Sequence, residues 1–149
     1  GLHAQRRQGH GDAEDGRQGG RLVADDKIRR VVVSTGKVYY DLLEEREKRG
    51  IDDIYLLRLE QLYPFPAKSL VHELARFPQA ELTWCQEEPR NMGAFVFAQP
   101  YLEWARAQVG MTNGALRYAG RTASASTATG RMSKHLAQLA SLLGDALAQ

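Results

Sequence analysis

The sequence holds a single cysteine, Cys85. One thiol cannot close an internal disulfide, which excludes a disulfide-stapled secreted scaffold and favours a reducing compartment. Long apolar runs are missing: nothing approaches the roughly 18 consecutive apolar residues of a membrane-spanning helix. Neither sign of charge dominates. Twenty Lys and Arg stand against 18 Asp and Glu, and a formal net charge of +2 is too small to draw the chain to nucleic acid or to a membrane. The opening residues, Gly1-Leu2-His3-Ala4-Gln5-Arg6-Arg7, lack the apolar h-region of a secretory signal. No internal repeat is visible.

What is present divides unequally. Residues 1–26 are rich in Gly, Arg, Gln, Asp and His and poor in apolar side chains up to Gly20. Such a segment cannot bury enough surface to offset its ordering entropy, so a disordered tail is expected. Its glycines have a phosphate-binding look, but no strand precedes them as loop signatures require. His3 and His10 have no rigid frame in which to hold a metal. Residues 27–149 are long enough for one domain with a real core.

From Lys27 onward strands and helices alternate. Arg30-Val31-Val32-Val33-Ser34-Thr35, Ile54 to Leu59, Glu81 to Gln86 and Ala115 to Ala119 read as buried strands. Between them lie a helix from Val38 to a Gly50 cap, with Glu44 to Arg49 on its wet side, and a helix from Ala67 to Phe77 with Leu70, Val71 and Leu74 inward. A third helix, Gly93 to Val109, is expected to use Phe95, Val96, Tyr101, Leu102 and Trp104, with a kink or late start at Pro100. A small-residue loop, Thr122 to Thr129, leads to a last helix, Met132 to Leu147, with a Leu136, Leu139, Leu143 and Leu147 stripe. The alternation predicts an α/β fold of three layers, helix–sheet–helix, around a mostly parallel sheet.

Several residues could carry chemistry. Ser34-Thr35-Gly36-Lys37 ends a strand and opens a helix, but Val31 stands where a P-loop needs its first glycine and Val38 follows the lysine. A tight strand-to-helix turn is the expected role. Glu87 and Glu88 sit at a strand's carboxyl end, the edge that ligands of open α/β sheets use. Neighbours on a strand point to opposite faces, so they cannot form an acid/base pair unless the chain turns, as Pro89 suggests it does. The expected role is a polar network of Gln86, Glu87 and Asn91 at a domain or subunit boundary. Arg117 and Arg121 could grip a phosphate or carboxylate, or pair with acids of another domain. Cys85, flanked by Trp84 and Gln86, reads as a core thiol. His72 and His135 read as surface or capping side chains. Lys68 at a helix start opposes the helix dipole, which hints at an anionic partner.

Three strings then stand out in order. They are Glu60-Gln61-Leu62-Tyr63-Pro64-Phe65-Pro66, Trp84-Cys85-Gln86-Glu87-Glu88-Pro89-Arg90-Asn91-Met92-Gly93-Ala94, and Leu116-Arg117-Tyr118-Ala119-Gly120-Arg121. With Gly36-Lys37-Val38-Tyr39-Tyr40-Asp41-Leu42 they resemble the C-terminal domain of the E1 component of 2-oxoglutarate dehydrogenase, from about Lys27 to the end. Thr127 stands where that family usually has a proline after Ser126, and the first twenty or so residues match nothing in it. The resemblance implies a fold like the transketolase C-terminal domain. It implies a parent enzyme that uses thiamine diphosphate and Mg²⁺ to decarboxylate 2-oxoglutarate and passes the succinyl group to lipoamide of the E2 dihydrolipoyl succinyltransferase, alongside E3, in the citric acid cycle.

The diphosphate and metal motif of such enzymes, Gly-Asp-Gly followed by Asn, is absent, and Gly11-Asp12-Ala13 does not supply it. No catalytic, cofactor-binding or metal-binding residue is expected in this segment. Its expected partners are the rest of the E1 chain and a homodimer mate. Gln61 and Lys68 match positions near which some relatives bind an acyl-CoA or nucleotide effector, whereas Ser69 stands where such relatives can carry a second arginine. The expected location is the bacterial cytoplasm, or the mitochondrial matrix in a eukaryote. The rival readings are a free-standing interaction or regulatory module of the same fold, and another thiamine-dependent enzyme such as a transketolase. The Glu60–Pro66 and Gln86–Pro89 strings disfavour the last. An apolar face left open by missing domains is expected.

Overall fold

The computed structural model describes the backbone of residues 2–4, and residues 21–121 and 132–149 in full. A five-stranded sheet comprises β1 (Leu2–Ala4), β2 (Arg30–Thr35), β3 (Ile54–Leu59), β4 (Glu81–Pro89) and β5 (Arg117–Arg121). Among the described residues, four α-helices accompany it: α1 (Val38–Arg49), α2 (Ala67–Leu74), α3 (Phe95–Val109) and α4 (Met132–Ala146). The strand order is β1-β3-β2-β4-β5. β3, β2, β4 and β5 are parallel, and β1 is antiparallel to β3 at the edge.

Topology sets the layers. From β2 the chain steps one way to β3, then passes back over β2 to β4 and on to β5. Right-handed crossovers taken in opposite directions place their helices on opposite faces. Side-chain alternation agrees. Val31, Val33, Tyr55, Leu57, Leu82 and Trp84 pack with Leu70 and Leu74 of α2 and Phe95 and Leu102 of α3. Val32, Ile54, Leu56, Cys85 and Ala119 pack with Leu42 of α1 and Leu143 of α4. Each such fully buried aliphatic side chain contributes about 2–3 kcal/mol over leaving it in water. The expected three-layer α/β fold is what forms.

Local departures have physical reasons. Leu2–Ala4 pair with β3 although they fall in the segment expected to be disordered. Residues 21–26, read with the same segment, lie against the domain: Leu22 and Val23 touch the core, and Val23 N–H donates to Asp52 O at 2.9 Å. The glycine-rich stretch, His10 included, and the loop containing Ser126 and Thr127 lie outside the described residues. β4 runs on to Pro89, past the expected Gln86, because a register irregularity between Cys85 and Pro89 lets β5 keep pairing. α3 starts at Phe95 and runs through Pro100 rather than starting after it. Gly50 closes α1 in the left-handed conformation at φ 66°, as its sequence position predicts.

The inward faces of two helices differ from expectation. On α3 the buried residues are Phe95, Ala98, Leu102 and Ala105, whereas Val96, Tyr101 and Trp104 point outward. Small alanines let the helix approach the sheet, and the bulkier side chains are turned away. On α4, Leu142, Leu143 and Ala146 are buried, as is Leu147 just after it, and Leu136 is exposed.

Candidate functional site at the carboxyl edge of the sheet

The order in which strands are added reverses between β2 and β4, so the crevice at their carboxyl ends is where an open α/β sheet offers a site. β2 delivers Ser34 and Thr35 to this edge, and Gly36 turns the chain at φ 77° into α1. Thr35 Oγ1 donates to Leu59 O at 3.0 Å, tying the turn to β3. Across the crevice, Lys37 Nζ donates to Glu87 Oε2 at 2.8 Å, and it lies 3.5 Å from Asp41 Oδ2. The hydrogen bond to Glu87 is the main cause holding the Lys37 ammonium above its ordinary value. One cation faces two carboxylates, so the turn offers no surplus positive charge to a phosphate. The strand-to-helix turn expected for Ser34–Lys37 is what is present.

Beside the crevice, Gln86 organises the next loop. It is buried on β4. Its Oε1 accepts from Trp84 Nε1 at 2.9 Å and from the Phe95 backbone N–H at 3.0 Å. Its Nε2 is shared among the carbonyls of Pro89 and Met92, both at 2.9 Å, and Glu88 at 3.1 Å. One side chain thus ties the end of β4, the 89–94 loop and the first turn of α3. Such buried amides rigidify when every donor and acceptor is met.

β5 closes the arrangement. Tyr118 Oη donates to Arg121 O at 2.9 Å and lies 3.2 Å from Glu88 O. Arg90 sits over the rings of Phe95 and Tyr118, 5.0 Å from each centroid. A Cβ on Gly120 would meet Tyr118 Oη at 2.6 Å and Gln86 O at 2.7 Å, so only glycine fits. Two of the distinctive strings, Trp84–Ala94 and Leu116–Arg121, are therefore one structural knot.

The residues singled out in the sequence do not converge on one ligand. Gln86 spends its amide on groups inside the fold, tying β4 to the loop and to α3. Glu87 is held by Lys37, while Glu88 near the end of β4 and Asn91 on the following loop are exposed. Arg117 and Arg121 lie at opposite ends of β5, roughly 13 Å apart along the strand. Arg117 lies 3.9 Å from Glu81 and 3.7 Å from Asp145 at the amino edge, while Arg121 is at the carboxyl edge. Gln61 and Lys68 are exposed on the 60–68 segment, with Gln61 Nε2 3.5 Å from Pro64 O. Cys85 is fully buried, and burial pushes its thiol up to about 12, as befits a core residue. His72 and His135 are exposed.

Sequence reading missed two buried polar groups. Tyr55 Oη donates to Glu73 Oε2 at 2.7 Å, and Arg76 reaches both Glu73 and Asp25, locking α2 to the turn before β2. Burial, with Glu73 beside it, drives the Tyr55 phenol upward. Arg46, read as part of the wet side of α1, is fully buried and donates to Ile54 O at 3.0 Å. Helical spacing could have found both: Arg46 follows Leu42 by four, and Glu73 follows Leu70 by three on the inner face.

Among the described residues, no group of three or more His, Cys, Asp or Glu is placed to hold a metal ion. Their donor set does not fit a Mg²⁺–diphosphate group. Among them, too, no helix is long and apolar enough to cross a membrane.

Comparison with known proteins gives consistent results. The family model described as 2-oxoglutarate dehydrogenase C-terminal matches residues 11–147, starting inside the segment for which no counterpart is expected from the sequence. The chain is 67% identical over 130 residues to the 2-oxoglutarate dehydrogenase E1 components of Brucella anthropi and Brucella ovis. The match takes in 87% of this chain and 13% of each relative, so the chain spans about an eighth of their length. A solved structure titled split gene transketolase, inactive beta4 tetramer, overlaps 82% of this chain and 40% of its own, at TM-score 0.47 and 13% identity. That likeness is too loose to bear an argument.

Proposed function

Because this chain belongs to the 2-oxoglutarate dehydrogenase C-terminal family, we propose that it is the non-catalytic C-terminal domain of an E1 chain that decarboxylates 2-oxoglutarate. The observation that carries this reading is the 67% identity to E1 components over most of the chain. The geometry supports the structural role. Two of the family-like strings, Trp84–Ala94 and Leu116–Arg121, are consumed in building the knot around Gln86, and the switch-point crevice is bridged by Lys37 and Glu87. No step of the decarboxylation is assigned to these residues, because they do not fit the thiamine diphosphate and Mg²⁺ that the whole enzyme would use.

In this reading the partners are the rest of the E1 chain, its homodimer mate, and the E2 succinyltransferase and E3 of the complex, in the cytoplasm of a bacterial cell. Gln61 and Lys68 are the residues offered to an anionic effector, being exposed on one short segment. Calorimetric titration tests the core of the proposal. The chain alone should take up no thiamine diphosphate in the presence of Mg²⁺. The Brucella anthropi E1 component, with this chain replacing its matching 130 residues, should bind it. Tight binding by the chain alone would overturn the assignment.

A further inference from the structure

The two faces of the sheet are finished differently. α1 and α4 cover one face, and α1 turns Glu44, Glu45, Glu47, Lys48 and Arg49 outward or to its flanks. α3 covers the other and has only two charged residues in its length, Glu103 and Arg106. Having buried Phe95, Ala98, Leu102 and Ala105 against the sheet, it carries a second apolar stripe outside: Phe97, Tyr101 and Trp104, at helical spacing and 38%, 37% and 45% exposed. A helix that is apolar nearly all round belongs in the interior of a larger protein.

The stripe is continuous with the segment before α2. Tyr63, 85% exposed, lies 6.1 Å from the Phe97 ring, and Phe65 stacks on Tyr101 at 4.4 Å and 7°. The aromatic string Tyr63–Phe65 and the outer face of α3 therefore form one patch. Contiguous exposed aromatic surface marks an interaction site, and rings with a polar tip suit a boundary that is dry at the centre and wet at the rim.

We propose that this aromatic face is where the amino-terminal remainder of the E1 polypeptide packs onto the domain. The inference rests on the E1-domain reading above and names the face that reading uses. About seven-eighths of the relatives' length has no counterpart in this chain, so the polypeptide itself supplies an occupant large enough to cover the patch. The opposite face, under α1 and α4, presents the charged side chains of α1 and only the scattered exposed apolar residues Tyr40, Met132 and Leu136, with no aromatic patch comparable to that of α3.

The test uses the full-length Brucella anthropi E1 chain carrying this chain in place of its matching residues. A photo-crosslinking benzoylphenylalanine is placed at Tyr101, at Trp104, or at Glu44 on α1 as the control. The expected result is crosslinks from Tyr101 and Trp104 to peptides of the upstream region, at least tenfold more abundant than from Glu44. Crosslinks running only to this same segment of a second copy would overturn the proposal in favour of self-association. Decarboxylation by the unlabelled hybrid is read separately. An active hybrid with no upstream crosslink overturns the docking face alone; an inactive hybrid with none overturns the domain reading as well.

Discussion

Gln86 Oε1 accepts from Trp84 Nε1 at 2.9 Å, two residues back on the same strand, while the same oxygen takes the backbone N–H of Phe95 that opens α3. Alternate residues share a face of a strand, so Trp84 and Gln86 point together into the space beneath the loop. Replacing Gln86 by alanine orphans two buried N–H groups and frees three carbonyls. The expected cost is about 3 kcal/mol or more, since each buried orphan costs about 1–3 kcal/mol. Urea denaturation of Gln86→Ala against the parent chain reads it directly; a change below 1 kcal/mol would show that the knot does not hold the fold.

Gly120 and Gly144 should respond in opposite directions. A methyl group on Gly120 collides with Tyr118 Oη and the Gln86 carbonyl, so Gly120→Ala should destabilise by about 1–3 kcal/mol. Gly144 lies inside α4, and the nearest atom to its added Cβ is Arg49 Nη2 at 3.6 Å. Gly144→Ala should stabilise by about 0.5–1 kcal/mol. Thermal unfolding of the two variants side by side checks both signs.

The Lys37–Glu87 pair should matter little and in a defined pH range. The lysine side chain is 70% exposed, so Glu87→Gln should cost less than about 1 kcal/mol near neutral pH and less still in high salt. Because the Lys37 pKa is raised in the folded state, this contribution is complete below its ordinary value of 10.5 and lost as pH rises through the folded one. The stability difference between parent and Glu87→Gln should therefore be flat from pH 7 to 9 and shrink above 10.5. A difference that grows with alkaline pH would contradict the pairing.

Cys85 should be inert while the chain is folded. Burial pushes its thiol up to about 12 and removes it from solvent. Its reaction with a disulfide reagent at pH 8 should be roughly a hundredfold or more slower than in urea, because thiolate and access are both lost. Rapid labelling of the native chain would place Cys85 at an opening surface instead of in the core.

Much of this fold was legible from local pattern. The β-branched run Val31–Val33 and the Gly50 cap announced a buried strand and a helix end, and alternation of elements announced the layers. What was hidden depended on partners distant in sequence. Arg46 looked solvated among charged neighbours, but the Ile54 carbonyl, brought near by the turn after α1, gives it a buried bond. Tyr101 and Trp104 looked like core residues because large apolar side chains usually are; α3 instead approaches the sheet through Ala98 and Ala105. Of the candidate site, Lys37 and Glu87 were each visible as edge residues, but their pairing needed the β2–β4 register. The placement of Arg117 at the amino end of β5 and Arg121 at its carboxyl end needed only strand geometry.

In the proposed reading these residues build a domain of an E1 enzyme and do not perform its chemistry. The most direct test is the 2-oxoglutarate decarboxylation rate of the purified chain with thiamine diphosphate and Mg²⁺, measured beside the Brucella anthropi hybrid that carries it. The account predicts turnover by the hybrid and none above background by the chain alone. Turnover by the chain alone, with full-length enzyme excluded from the preparation, would contradict it.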